Sequence, residues 1–129
     1  MGKKNEYDAE CLRLYPPPRN GEKFVEKWKS FIPMLHGREG FQRGHLFQLE
    51  VLCDLYQEYH ELNARIELEG FLVEIYSKTG IPINQINPLI SIRGRIASEI
   101  RQYTRELGLN SKYIPKVHVP GDTEDEWEV

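Results

Sequence analysis

The chain has only two cysteines, Cys11 and Cys53, far apart and in no CxxC pair or Cys/His ligand spacing. That excludes a disulfide framework and a zinc module, and leaves two reduced thiols, with Cys53 in an apolar stripe as a small core residue. Its longest apolar runs fall well short of the ~20 residues that cross a bilayer, and Met1-Gly2-Lys3-Lys4 opens no signal-peptide core, so a soluble intracellular protein without a membrane partner is expected. Neither GxxxxGK[ST] nor GxGxxG occurs, which removes the usual grounds for a nucleotide-hydrolysing or dinucleotide site. His36, His45, His60 and His118 have no metal-ligand spacing, and Ser91 and Ser98 have no nucleophile elbow. No catalytic residue, metal or cofactor is expected, and binding surfaces remain.

What is present, over 129 residues, is one domain's worth of sequence with 40% apolar and 29% charged residues. The net charge of −3 hides an asymmetry. Five acidic residues (Asp122, Glu124, Asp125, Glu126, Glu128) follow His118 with no Lys or Arg among them, so the preceding body holds 17 basic against 15 acidic residues, or +2.

Residues 1–21 are polar, contain Pro16-Pro17-Pro18 and end in Asn20-Gly21, which predicts a flexible or extended arm, with a short helical turn around Tyr7 to Leu14 as the alternative. From Glu22, the residues Phe24, Val25, Trp28, Phe31 and Ile32 recur at helical spacing, with Asn20 as a cap and Pro33 ending or kinking the helix. A basic corner follows, Gly37, Gly40 and Gly44 with Arg38 and Arg43 between them.

The longest predicted helix runs from about His45 to Glu69, roughly 37 Å. Leu49, Leu52, Tyr56, Tyr59, Asn63 and Ile66 form its stripe, Leu55 and Leu62 widen it, and the width implies more than one neighbour, so the stripe is expected to serve oligomerisation. Gly70 closes the helix. Phe71 to Tyr76 and Ile81 to Ile86 predict a small β-hairpin turning at Lys78-Thr79-Gly80.

The last helix is the best punctuated. Asn87 caps it, Pro88 suits its first position, Ile92, Ile96, Ile100, Tyr103 and Leu107 share one face, and Gly108 ends it. The expected fold is mainly α: an antiparallel long-helix core with a short first helix and a hairpin between the two long helices, in a core domain of residues 22–112, followed by an acidic tail over 113–129.

Charge on these helices points to an anionic partner. Arg93, Arg101 and Arg105 lie along the last helix at multiples of four, so their mutual repulsion favours a neutralising phosphate backbone. The alternative is a solvated face, with Arg95 paired to Glu99. Lys23, Lys27, Lys29, Arg38 and Arg43 form a second basic set. In the tail, Trp127 flanked by Glu126 and Glu128 suits a docking peptide, the ring giving burial and the carboxylates steering.

With its elements in order, the chain resembles the small terminase subunits of tailed bacteriophages. The resemblance is carried over residues 22–112 by Trp28 with Ile32-Pro33-Met34-Leu35, by Leu52-Cys53 and Tyr56 to Tyr59 on the long helix, by Thr79-Gly80, by Asn87-Pro88-Leu89 and by Glu106-Leu107-Gly108-Leu109. It implies a non-enzymatic DNA-packaging protein of the host cell cytoplasm, a homo-oligomer that closes as a ring. Such a protein binds double-stranded viral DNA and presents it to a large terminase subunit carrying the ATPase and nuclease. No separate helix-turn-helix domain is identifiable, so the DNA surface falls to the first helix and its corner, the arginine stripe or the Lys3-Lys4 arm. A dimeric transcription regulator and a scaffold without DNA binding are the competing readings.

Overall fold

The computed structural model describes residues 2–109, with side chains from Asn5 onward. Four helices, α1 (Gly2–Leu14), α2 (Glu22–His36), α3 (Gly44–Glu69) and α4 (Pro88–Glu106), carry a two-stranded antiparallel hairpin, β1 (Leu72–Tyr76) and β2 (Pro82–Ile86), between α3 and α4. The fold is therefore mainly helical with the hairpin where the sequence puts it.

The arm reading of residues 1–21 is corrected, because α1 occupies most of that segment and packs on α2. Cys11 is fully buried in the core, and Tyr7 Oη lies 2.9 Å from His36 Nδ1. This helix owes its stability to tertiary packing more than to its own polar sequence.

Helix α2 begins differently from expectation. Asn20 is not its cap; Gly21 holds that position without a side-chain bond, and the cap comes from α3. Gln57 Oε1 accepts from the backbone N–H of Lys23 at 2.8 Å and of Phe24 at 3.1 Å, which satisfies two free first-turn donors. Pro33 does not end the helix, which continues to His36 with Pro33 buried inside it.

At the end of α3, Gly70 adopts φ 92 and donates to Ile66 O at 2.7 Å. The strands pair Leu72 with Ile86, Glu74 with Asn84 and Tyr76 with Pro82, and Gly80 (φ 81) donates to Ser77 O within the turn. Asn87, only 1% exposed, ties three elements: Oδ1 accepts from Leu89 N at 3.0 Å, Nδ2 donates to Gly70 O at 3.0 Å, and its own N–H donates to Phe71 O at 2.7 Å. The stop of α4 is a Schellman motif, with Leu109 N–H on Thr104 O, Gly108 N–H on Arg105 O and Gly108 at φ +69.

Helices α3 and α4 run antiparallel: Arg93 Nη1, early in α4, donates at 3.1 Å to Asn63 Oδ1, late in α3, and the far end of α4 meets the core beside Leu49 and Leu52. The core lies toward one end of this pair. There Phe24, Trp28, Ile32 and Leu35 of α2 meet Leu49, Leu52 and Cys53 of α3, with Leu107, Leu109 and Cys11 closing it. The hairpin leaves from the other end of α3.

Part of the stripe expected to serve oligomerisation is covered within the single chain. Leu49 and Leu52 are 0% exposed within the single chain, and Ile66 is also buried, so they supply intramolecular core. Tyr56 and Tyr59 are half-buried, Tyr56 lying against Phe31, and Asn63 is spent on Arg93. The extra width of the stripe is absorbed by α2 and α4.

Candidate nucleic-acid interface

The basic side chains singled out in the sequence separate into engaged and unengaged groups. Arg93 is half-buried and held by Asn63 across the helix pair. Lys23 lies 3.1 Å from Glu26, whose carboxyl that lysine holds below the usual glutamate value. Lys27 Nζ sits 4.7 Å from the Tyr56 ring centroid, a cation–π contact on the seam between α2 and α3. All three are structural before they are anything else.

Arg101 and Arg105 differ. Both are exposed, Arg101 donates only to Ser98 Oγ at 3.1 Å, and neither has an ion pair among the described residues. With Ser98, Gln102 and Glu106 they line an open recess of about 550 Å³ whose walls are polar. The pairing of Arg95 with Glu99 does not form either, although both side chains line one groove between α3 and α4.

The glycine corner reaches the same end of α4. The Arg38 guanidinium lies 2.8 Å from the point a Cβ on Gly108 would occupy, and the φ of +69 at that residue is what favours glycine there. It stands by the carbonyl-rich end of α4, where a cation is favoured, and its position adds a third positive charge to the last turns that bear Arg101 and Arg105. Arg43 is exposed at the first residue flanking α3, and adds to the positive end of that helix.

Thus Arg101 and Arg105 share one recess and Arg38 approaches Gly108 just past the end of the same helix, with Arg43 on the corner loop that holds Arg38, while Arg93 lies about 18 Å up the helix from Arg105. Trp127, Glu126 and Glu128 lie outside the described residues, and Lys29 is exposed on α2. A surface of this kind can hold phosphate oxygens through charge-assisted hydrogen bonds. Among the described residues, no group of three or more His, Cys, Asp or Glu side chains is placed to hold a metal ion, and no helix is long and apolar enough to cross a membrane.

Two structural features escape a reading of the sequence. Arg19 clamps α3 by donating to Asp54 at 2.8 Å and approaching Glu50 at 3.5 Å, with its guanidinium over Phe24. The approach of Arg38 to Gly108 joins two segments remote in sequence, and the one available signal is a glycine following an apolar helix end.

Compared with known proteins, the chain matches the family model for the phage terminase small subunit over residues 25–124. No curated protein and no solved structure matches.

Proposed function

We propose, for a chain that belongs to the phage terminase small-subunit family, that it binds viral DNA as a homo-oligomer and presents it to the large terminase subunit. Membership suggests a role in phage DNA packaging in the infected host cell. The finer reading assigns the DNA contact to Arg38, Arg101 and Arg105, with Arg43 beside them, and assigns no catalysis to this subunit. Arg93, Lys23 and Lys27 enter as supporting charge, because each already has an intramolecular partner.

The observation that carries this reading is the set of arginines without carboxylate partners, among the described residues, around the end of α4. Unpaired guanidinium groups attract a polyanion and release its counterions, giving affinity that falls steeply with salt and discriminates bases weakly. In the same reading the oligomer is a ring, and Trp127 with Glu126 and Glu128 docks the large subunit, separating the partner contact from the DNA contact.

Salt-dependent binding to a duplex carrying the cognate viral packaging site tests the reading. Replacing Arg38, Arg101 and Arg105 by Gln should lower the slope of log affinity against log salt by about 1 for each phosphate no longer neutralised. An unchanged slope would remove the surface from the DNA contact, and strictly monomeric protein with no salt-sensitive DNA retention would reject the packaging reading.

A further inference from the structure

Opposite charges gather at one end of this chain. Arg101 and Arg105 are exposed in a shared recess, with no ion pair among the described residues. The carboxylate lining that recess, Glu106, accepts from Gln102 Nε2 at 3.2 Å and offsets only one of the two charges. Arg38, half-buried, stands beside Gly108 just past the end of α4. The described residues end at Leu109, which is buried in the core at that same end. Five carboxylates follow in sequence (Asp122, Glu124, Asp125, Glu126 and Glu128), with no Lys or Arg among them.

We propose that, when no DNA is bound, the acidic tail of the same chain occupies the Arg101–Arg105 recess, so that DNA must displace it. The proposal rests on the DNA reading of these arginines given above and adds a regulator of that same surface.

Reach and spacing support it. Asp122 follows Leu109 by thirteen residues, a length that spans at most about 45 Å, whereas Arg101 lies only about 12 Å back along α4. A tether this short keeps its end at an effective concentration on the order of millimolar, so individually weak pairs fill the recess. Asp122, Glu124, Glu126 and Glu128 stand at alternate positions. Laid out extended, they present carboxylates along one side at roughly 6.5 Å intervals, close to the rise of about 6 Å from Arg101 to Arg105. Each pair is then a charge-assisted hydrogen bond. Because tail and duplex exclude each other, a large subunit that captures the tail raises DNA affinity, and DNA raises affinity for the large subunit by the same factor.

Two measurements on the full-length chain test this. In the first, binding to the viral duplex at low salt is compared between the unmodified protein and a variant whose tail carboxylates are amides (Asp122→Asn, Glu124→Gln, Asp125→Asn, Glu126→Gln, Glu128→Gln). The variant should bind about tenfold tighter, with the advantage shrinking as salt rises. In an Arg101→Gln/Arg105→Gln background the same tail change should gain little. An equal gain in both backgrounds would mean that tail charge acts at long range, and would overturn the docking. In the second, without DNA, Arg105→Lys is treated with a zero-length carbodiimide, which joins an amine to a carboxylate in contact with it. A link from position 105 to the tail within one chain is expected, and its absence, or a link only between chains, would overturn the proposal. That link without any gain in DNA affinity would overturn the competition and the DNA reading of these arginines together, leaving only the tail contact.

Discussion

The side chain of Gln57 stands where a Cβ on Gly21 would be, its Oε1 only 2.6 Å from that point. Gly21 is needed there less for its own backbone freedom, since its φ is −56, than for the room it leaves a residue of α3 to cap α2. Gly21→Ala and Gln57→Ala should each cost about 1 kcal/mol, the usual scale for a lost cap. The double variant should cost little more than either alone in a chemical-denaturation cycle, and full additivity would show that the two positions act independently.

Asn87 does more than an ordinary cap, because its amide also holds the carbonyl of Gly70. Asn87→Ala should lower stability by about 2 kcal/mol, from the cap and from a buried acceptor left without its donor. Asn87→Ser should recover the cap alone and fall between. Thermal melts of the three proteins in one buffer decide this, and equal melting of the Ser and Ala variants would remove the cap from the account.

How much of this is legible in the sequence depends on how local each interaction is. The boundaries of α4 can be read because Asn87, Pro88 and Gly108 act on backbone groups a few residues away. Helix α1 and the Gln57 cap are not legible, since both depend on groups brought together by folding. The α3 stripe is periodic, as expected; periodicity says that Leu49 and Leu52 are covered, and cannot say whether α2 or another subunit covers them, and here the chain's own core does. Among the basic residues, spacing alone treats Arg93 and Arg105 alike, and Asn63 on the facing helix separates them.

That separation is measurable. Arg93→Gln should cost about 1 kcal/mol in stability through the missing bond to Asn63 and leave the salt slope of DNA binding nearly unchanged. Arg105→Gln should do the reverse. Parallel urea titrations and salt titrations on both variants check the pair, and matching behaviour would dissolve the distinction.

The buried thiols make the fold sensitive to alkali. Burial pushes Cys53 from 9.0 up to about 12, with Asp54 adding to the effect, and burial raises Cys11 as well. Between pH 9 and 12 the unfolded chain releases the Cys53 proton while the folded chain keeps it, so stability is full below about 8 and falls as pH rises. The slope attributable to one thiol is about 1.4 kcal/mol per pH unit. Cys53→Ala should flatten the alkaline limb, and an unaltered pH profile would assign it to other groups.

The tail is testable without reference to its conformation. Deleting residues 121–129 should weaken capture of the large subunit and leave the number of subunits in the oligomer unchanged. Equal capture by both proteins would reject Trp127, Glu126 and Glu128 as the docking element.

Helix α4 runs unbroken for 19 residues, about 28 Å. It works as a spacer, with the hairpin at one end and the arginines without carboxylate partners, among the described residues, at the other. In a homo-oligomer each copy would raise the local density of guanidinium groups along the same duplex, so DNA affinity would grow by avidity. Weak individual contacts would suffice for firm retention, and disassembly alone would release the DNA.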